Sequence, residues 1–156
     1  MQPEVGQVPW LSPDERQAWL ATYALMMQLP AALDSQLQRD AGVSFYEYMV
    51  LAVLSEQPDN RLQMTDIAEF TSSSLSRLSH TAARLEKQGF LRREAVPGHG
   101  RRTQAELTEA GLAKVKQAAP LHVAHVRELL FDGTTKADLE ALARIGAGVV
   151  AKIDLS

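Results

Sequence analysis

The sequence predicts a mainly α-helical protein of one domain that carries a small β-hairpin. Three observations in the 156 residues predict it. Apolar residues recur at helical spacing in long segments near both ends. Shorter apolar segments between them are bounded by capping and breaking residues. Finally, residues 90–107 hold two strand-like runs around Pro97-Gly98-His99-Gly100, a turn that cannot be helical.

The first long helix is predicted over residues 12–42. Ser12 is a suitable N-cap, and the acidic residues that follow suit the positive end of a helix dipole. The apolar residues at helical spacing are Trp19, Leu20, Tyr23, Leu29, Leu33 and Leu37. Pro30 removes one backbone hydrogen bond, so a kink or short break is expected near Gln28. Gly42 is expected to end the helix.

Three shorter helices are predicted next. Ser44-Phe45-Tyr46-Glu47 is a capping-box pattern that begins an apolar helix ending near Ser55. A short helix starts near Thr65 and ends by Phe70. After a polar break, a helix over residues 75–88 stops at Gly89. Its apolar stripe consists of Leu75, Leu78, Ala82 and Leu85.

The hairpin and two further helices complete the chain. Residues 90–93 and 103–107 are predicted to pair as strands. Thr108 begins a long helix to about Phe131, and Asp132-Gly133 breaks it. A last helix, capped at Thr135, is expected to run to about Lys152.

Three helices followed by a two-stranded hairpin form the winged helix-turn-helix arrangement, a module that reads DNA. We therefore divide the chain into a flexible segment (1–11), a winged helix-turn-helix lobe (43–107) and two helical segments (12–42 and 108–152). The helical segments are longer than so small a lobe needs. Their apolar stripes predict dimerisation with a second copy of the chain.

Charge is concentrated in one part of the chain. The net charge is −3, which by itself does not suggest a nucleic-acid partner. Residues 77–102, however, hold seven Lys or Arg against two Glu, or +5, while the remaining residues hold nine basic and 17 acidic groups, or −8. A solvated basic face is the alternative reading. The coincidence with the second helix of the motif and its wing favours a surface that binds phosphates.

The fourth helix is the candidate recognition helix because small and polar residues at its start would let it enter the major groove. Ser72, Ser73 and Ser74 can cap the helix or donate to phosphates. Ser76, Arg77 and His80 are predicted on its outward side, with Arg77 as the first candidate for a base contact. Arg84, farther along, is expected to contact a phosphate or to form an ion pair with the wing.

The wing is the second candidate contact. Its tip combines flexible glycines with Arg101 and Arg102, and a narrow minor groove attracts an inserted arginine. A turn with solvent-facing arginines is the alternative.

These motifs resemble the MarR (multiple antibiotic resistance regulator) family of bacterial transcription factors. The similar stretches are Met64-Thr65-Asp66-Ile67-Ala68-Glu69, Leu75-Ser76-Arg77-Leu78-Ser79-His80, Arg84-Leu85-Glu86-Lys87-Gln88-Gly89-Phe90-Leu91 and Leu107-Thr108-Glu109-Ala110-Gly111. The resemblance implies a homodimeric, ligand-responsive repressor that sets one recognition helix into each half of a pseudo-palindrome, with Arg101 in the minor groove. The family usually has an Asp two residues before that arginine. Here the position is His99, so a looser wing or a pH-sensitive contact is expected.

The resemblance also implies a small aromatic or phenolic effector, bound between the dimerisation helices and the DNA-binding lobe. Candidate contacts are Trp19, Tyr23, Tyr46 and Tyr48, whose apolar rings carry polar tips. Core or dimer-interface aromatics are the favoured alternative for each of them. No other cofactor is predicted, and the absence of cysteine excludes thiol sensing, disulfides and thiolate zinc sites. His122 and His125 could share a helix face, but surface or interface histidines are favoured over a zinc pair.

The sequence also bears on two other classes of function, a protein-docking module and an enzyme. A winged-helix module that docks proteins without reading DNA is the alternative function. The chain has no phosphate-binding Gly loop, Gly-x-Ser-x-Gly elbow or His-Glu-x-x-His motif, so an enzyme is not predicted. No signal peptide is recognised in residues 1–10, and no apolar run approaches the roughly 20 residues of a membrane span. We therefore expect a cytoplasmic protein with no membrane partner.

Overall fold

The computed structural model describes residues 8–154. The elements in chain order are α1 (Pro13–Ala41), α2 (Phe45–Ser55), β1 (Arg61–Gln63), α3 (Met64–Phe70), α4 (Leu75–Lys87), β2 (Leu91–Ala95), β3 (Thr103–Leu107), α5 (Glu109–Val126), its π-helical extension (Arg127–Phe131) and α6 (Lys136–Asp154). This confirms the mainly helical winged helix-turn-helix class. Residues 1–7 of the flexible segment predicted at the N-terminus, where no signal peptide was recognised, lie outside the described residues.

The helices begin where the capping residues predict. Ser12 and Ser44 each form a complete capping box, in which the serine oxygen accepts from the backbone of the third helical residue and the carboxylate of that residue accepts from the serine N–H. Ser74 caps α4 and Thr108 caps α5 through single side-chain hydrogen bonds. Polar side chains at these positions therefore set the start of α1, α2, α4 and α5.

Of the kink or short break predicted near Gln28, the break is wrong, because α1 runs as one helix of 29 residues through Pro30. A proline removes one backbone donor and crowds one carbonyl, and full helical turns on both sides can tolerate that loss. Pro120 lies inside α5 in the same way. The cost of each proline is absorbed within a long helix.

The wing is part of a three-stranded antiparallel sheet in the order β1–β3–β2. The predicted hairpin is confirmed, with Leu91 opposite Leu107 and Ala95 opposite Thr103. The sequence reading missed β1, whose residue Leu62 lies opposite Ala105. Three residues are too few to show the alternation by which a strand is recognised.

Two hydrophobic clusters hold the chain together. The larger lies inside the winged helix-turn-helix lobe and joins α2, α3, α4 and the sheet, with Val115 of α5 among its members. The smaller joins α1, α2 and α5 around Leu37, Val43, Tyr48 and Ala118. The predicted stripe of α4 is buried except for Leu75, which is 48% exposed at the first turn of the helix. Helix α2 contributes to both clusters and so connects the lobe to the long helices.

His122 is buried in the smaller cluster, which corrects its assignment to the surface or to an interface. The amide nitrogen of Gln36 donates to Asp40 at 2.9 Å, so the amide oxygen faces Nδ1 of His122 at 3.2 Å and accepts its proton. The imidazole ring lies 4.6 Å, centroid to centroid, from the ring of Tyr48. The neutral side chain therefore joins α1, α2 and α5.

We expect Gly111→Ala to lower the free energy of unfolding by at least about 2 kcal/mol. A Cβ at this position would lie 2.0 Å from the carbonyl oxygen of Phe90, a backbone atom that cannot move aside easily. Urea denaturation of both proteins measures the difference. Ala113→Ser, which adds one heavy atom at an exposed position of the same helix, is the matched control and should cost less than about 0.5 kcal/mol. Equal effects of the two substitutions would contradict close packing at Gly111.

A pH dependence of stability follows from His122. Burial lowers the pKa of this imidazole, and the neighbouring His125 lowers it further. The unfolded chain therefore binds the proton more tightly, so stability is full above the ordinary histidine pKa of about 6.5 and declines as the pH falls below it. Between about pH 7.5 and 5.5, the free energy of unfolding of the wild type should fall more steeply than that of His122→Gln. His99→Gln, a substitution at an exposed position, is the control and should retain the wild-type slope. Identical slopes for all three proteins would contradict His122 as the source of the pH dependence.

Candidate nucleic-acid interface

The exposed side of α4 forms the first part of the candidate site. Ser76, Arg77 and His80 are exposed, as predicted, while Leu78 and Leu85 lie in the lobe core. The turn that precedes the helix contains Ser72 in a left-handed conformation, with φ at 50°. Helix α4 is thus fixed by its apolar side and leaves small or polar side chains free to meet a ligand.

The three serines before α4 have different positions. Ser72 is exposed, and Ser74 uses its hydroxyl oxygen to accept from the backbone N–H of Arg77. The hydroxyl of Ser73 instead hydrogen-bonds to Tyr46 and Thr71 inside the protein. Its predicted availability to a phosphate is therefore corrected.

Arg77 reaches back over α2. Its guanidinium carbon lies 4.2 Å from the centroid of the Tyr46 ring, a cation–π geometry. Within residues 8–154, no carboxylate forms an ion pair with it. The guanidinium is thus oriented by a ring that leaves its charge uncompensated.

Within residues 8–154, Arg84 forms an ion pair with α2 and not with the wing, so the predicted ion pair with the wing is corrected, while the predicted phosphate contact stays a prediction. It forms an ion pair with Glu47 of α2 at 3.3 Å and donates to the hydroxyl of Thr81, and no ion pair joins it to the wing in the part of the chain that the structure describes. The carboxylate of Glu47 is nearly buried, so it needs a nearby positive charge. Arg84 is thereby held along α2, although its side chain remains more than half exposed.

The tip of the wing carries exposed arginines. Gly98 and Gly100 adopt positive φ values, and the backbone N–H of Val96 donates to the carbonyl of Arg102 across the turn. Arg101, Arg102 and His99 are exposed. Over the described range, 8–154, none of these three side chains has a hydrogen-bond or ion-pair partner.

Ion pairs within the protein compensate some of the basic groups of residues 77–102. Arg93 binds Glu86 through its backbone N–H and its guanidinium, and these hydrogen bonds lower the pKa of that carboxyl. Arg92 lies 3.4 Å from Glu106. Together with the Arg84–Glu47 pair, three of the seven basic groups are compensated. Among the described residues, the four without an ion pair are Arg77, Lys87, Arg101 and Arg102.

A cavity of about 330 Å³ lies between the start of α4 and the wing. Arg101 and Arg102 line it from the wing, and Ser79 lines it from α4. Gln63 and Thr65 line it from the neighbouring strand and helix. The sequence reading missed Ser79, Gln63 and Thr65, because uncharged side chains leave no mark in a charge pattern. The cavity shows that α4 and the wing tip adjoin.

A second cavity, of about 510 Å³, lies between α1, α2 and α4. Its lining residues are Pro30, Ala31, Asp34, Ser44, Phe45, Tyr46, Arg77, His80, Thr81 and Arg84. Of the four aromatic candidates for effector binding, only Tyr46 lines it. Trp19 and Tyr23 form an exposed pair on the first half of α1, with ring centroids 6.3 Å apart, and Tyr48 is buried against His122. The four do not form one site.

The described residues contain no group of three side chains placed to hold a metal ion. His125 lies 3.6 Å from Glu128. No helix of residues 8–154 has the length and hydropathy needed to cross a membrane.

Comparisons with known proteins agree with this geometry. The model of the MarR family matches residues 41–102. A MarR family transcriptional regulator from Streptomyces coelicolor, crystallised in complex with DNA, is 39% identical with a TM-score of 0.88, covering 92% of this chain and 90% of that one. AbsC, a MarR family transcriptional regulator from the same organism, is 33% identical with a TM-score of 0.89, covering 96% of this chain and 100% of that one.

The transcriptional regulator MOSR from M. tuberculosis, solved in complex with DNA, shares the fold at 24% identity, with a TM-score of 0.69 over 86% of this chain and 96% of that one. A search of curated proteins finds no match. Because two relatives above 30% identity align with more than nine-tenths of its length, the chain belongs to the MarR family of transcriptional regulators.

Proposed function

We propose that the chain is a homodimeric repressor that binds double-stranded DNA at a specific sequence and releases it in response to an effector. The observation that carries this proposal is the adjacency of two exposed basic elements. Arg77 on α4 and Arg101 and Arg102 on the wing have no internal ion pair within residues 8–154, and one cavity joins the two elements. In this proposal α4 enters the major groove and Arg101 enters the adjacent minor groove.

Two further observations support DNA as the partner. The 39% identical relative was crystallised in complex with DNA. In addition, within residues 77–102 the basic groups that lack an ion pair lie on α4 and at the wing tip, whereas Arg84, Arg92 and Arg93 are compensated by carboxylates. A module that only docks proteins has no need for unpaired arginines at the tip of a wing.

The long helices support a dimer. Helix α6 has 19 residues and buries none of them, although several large apolar side chains lie along it. The first half of α1 likewise exposes Trp19, Leu20, Tyr23, Met26 and Met27. A monomer rarely exposes so much contiguous apolar surface, and a second copy of the chain would cover both faces with one symmetric interface. The dimerisation segments 12–42 and 108–152 belong to this proposal.

Selection of bound sequences from random duplex DNA tests the dimer and the DNA site together. We expect a pseudo-palindrome whose half-sites lie about one helical turn, or 10 base pairs, apart. Affinity for the selected duplex should fall steeply as salt rises. Recovery of no sequence, together with a salt-independent interaction with protein partners, would instead indicate the docking module.

The two arginines should differ in how they affect binding. We expect Arg77→Ala to cost roughly 1–3 kcal/mol on the selected duplex and to relax the preference at one base position of each half-site. We expect Arg101→Ala to weaken binding to all sequences and to reduce the salt slope by about 1 for each arginine removed from contact. Fluorescence anisotropy at several salt concentrations measures both quantities.

Arg92→Ala is the matched control, because this arginine is exposed but paired with Glu106. Its loss should change affinity less than either of the other substitutions. If Arg77→Ala and Arg101→Ala lose the same affinity with unchanged base preference, the division of their roles is wrong.

The effector is proposed to occupy the cavity between α1, α2 and α4. Arg77 and His80 line its α4 side, and the ring of Tyr46 lines its α2 side. The carboxylate of Asp34 already accepts from the backbone N–H of Phe45 at 2.7 Å. A small aromatic or phenolic acid would place its ring against Tyr46 and its anion toward Arg77.

Benzoate is a suitable probe of this proposal, and benzamide, its uncharged isostere, is the matched control. We expect millimolar benzoate to weaken binding to the selected duplex at constant ionic strength, because it would draw Arg77 away from DNA. Benzamide should have little effect, since it lacks the anion. If both compounds change the anisotropy titration equally, or if neither changes it, the result would count against an anionic effector at this cavity.

A further inference from the structure

We propose that Tyr46 is a positioning residue that determines sequence specificity by fixing both the turn before α4 and the guanidinium of Arg77. The inference rests on the proposed DNA-binding function and extends it to a residue of α2. Tyr46 is not itself proposed to contact a base. From the sequence, this tyrosine is a candidate contact for an effector, with a core or dimer-interface aromatic as the favoured alternative. The structure instead places its hydroxyl against the turn before α4 and its ring against Arg77 of α4.

The hydroxyl of Tyr46 belongs to a chain of three hydroxyl groups. Thr71 donates its only hydroxyl proton to the carbonyl of Ile67 at 2.7 Å, so toward its other neighbours its oxygen can only accept. Ser73 lies 3.1 Å from that oxygen and also hydrogen-bonds to Tyr46. The hydroxyl of Tyr46 also lies 3.4 Å from that of Thr71, so the three groups together tie α2 to the end of α3.

These three hydroxyl groups hold the turn from which α4 departs. Ser72 in the turn has a left-handed backbone, a conformation that costs energy for a residue with a side chain. The neighbouring Ser73 is fixed by its backbone N–H to the carbonyl of Ala68 and by its hydroxyl to Tyr46. Ser74 then caps α4. The direction in which the recognition helix leaves the turn therefore depends on a side chain of α2.

The ring of Tyr46 positions Arg77 at the same time. The guanidinium stacks over the ring at 4.2 Å, and a cation–π contact leaves its hydrogen-bond donors available at the edge. An ion pair would orient the arginine too, but it would compensate the charge that DNA must meet. Stacking restricts the side chain before DNA binds and so lowers the entropy lost on binding.

Tyr46 is itself held by its neighbours along the chain. The backbone N–H of Phe45 donates to Asp34 of α1, and Glu47 joins the capping box of α2 to Arg84 of α4. The tyrosine thus has a fixed base, and its two contacts transmit that position to α4. A substitution at Tyr46 should therefore alter which bases are preferred and leave the fold in place.

The test compares four variants on two duplexes, the selected sequence and the same sequence changed at the base pair that Arg77→Ala no longer discriminates. We expect Tyr46→Leu, which removes ring and hydroxyl, to lower the ratio of the two affinities by about 2- to 30-fold. Tyr46→Phe and Ser73→Ala should each lower it by a smaller, similar factor. The double variant Tyr46→Phe with Ser73→Ala should lower the ratio by less than the product of the two single factors, because both substitutions remove the hydrogen bond between Tyr46 and Ser73.

Phe90→Leu is the control for lost packing. Phe90 packs on the same hydrophobic cluster as Tyr46, and its ring lies 5.6 Å from the ammonium of Lys114, so its loss also removes an aromatic ring beneath a cation. This variant should lose thermal stability but retain the wild-type affinity ratio. Thermal unfolding of every variant is measured alongside the DNA titrations.

The outcomes separate the inference from the function on which it rests. If the wild type selects no sequence, the DNA-binding function fails. If the wild type discriminates and Arg77→Ala does not, while all folded Tyr46 and Ser73 variants retain the wild-type ratio, Tyr46 is only structural and the inference is overturned. Should Tyr46→Leu not fold, Tyr46→Phe and Ser73→Ala decide the question by the same criterion.

Discussion

The nearly buried carboxylate of Glu47 is the constraint on which the position of α4 relative to α1 and α2 depends. A buried charge is tolerated only when it is compensated, and two different elements supply the compensation. The backbone N–H of Ser44 binds one carboxylate oxygen at 2.8 Å, and Arg84 of α4 lies 3.3 Å from the other. Since Phe45, the adjacent residue, binds Asp34 of α1, the start of α2 fixes α1, α2 and α4 relative to one another.

The charge distribution has its physical meaning only after internal pairing is taken into account. The sequence assigns +5 to residues 77–102, but the structure gives carboxylate partners to Arg84, Arg92 and Arg93. These pairs stiffen the lobe and reduce its nonspecific attraction for polyanions. Within residues 77–102, the uncompensated arginines are Arg77, held by a ring, and the pair at the wing tip. Charge available to a ligand is thus set by partners that are distant in sequence.

The parts of the fold that the sequence predicts are those encoded locally. Ser44 and Ser74 are recognised because a cap acts within three residues of itself, and the hairpin is recognised from turn chemistry. Strand β1 and the burial of His122 could not be predicted, because each depends on a partner far along the chain, Glu106 for Arg61 and Gln36 for the imidazole. The same limit explains why exposed positions in the candidate site were found while the internal contacts of its side chains were not.

Under the proposed response to an effector, the cavity beside Tyr46 would link ligand binding to the positions of these helices. Its walls come from α1, α2 and α4, so a ligand that binds more tightly to one relative position of these helices would favour that position. Helix α1 also carries much of the exposed apolar surface proposed for the dimer, whereas α4 carries the proposed base contacts. A shift of α4 against α1 would change the separation of the two recognition helices in a dimer. Because half-site spacing is fixed by the DNA helix, even a small change of separation would lower affinity at both half-sites together.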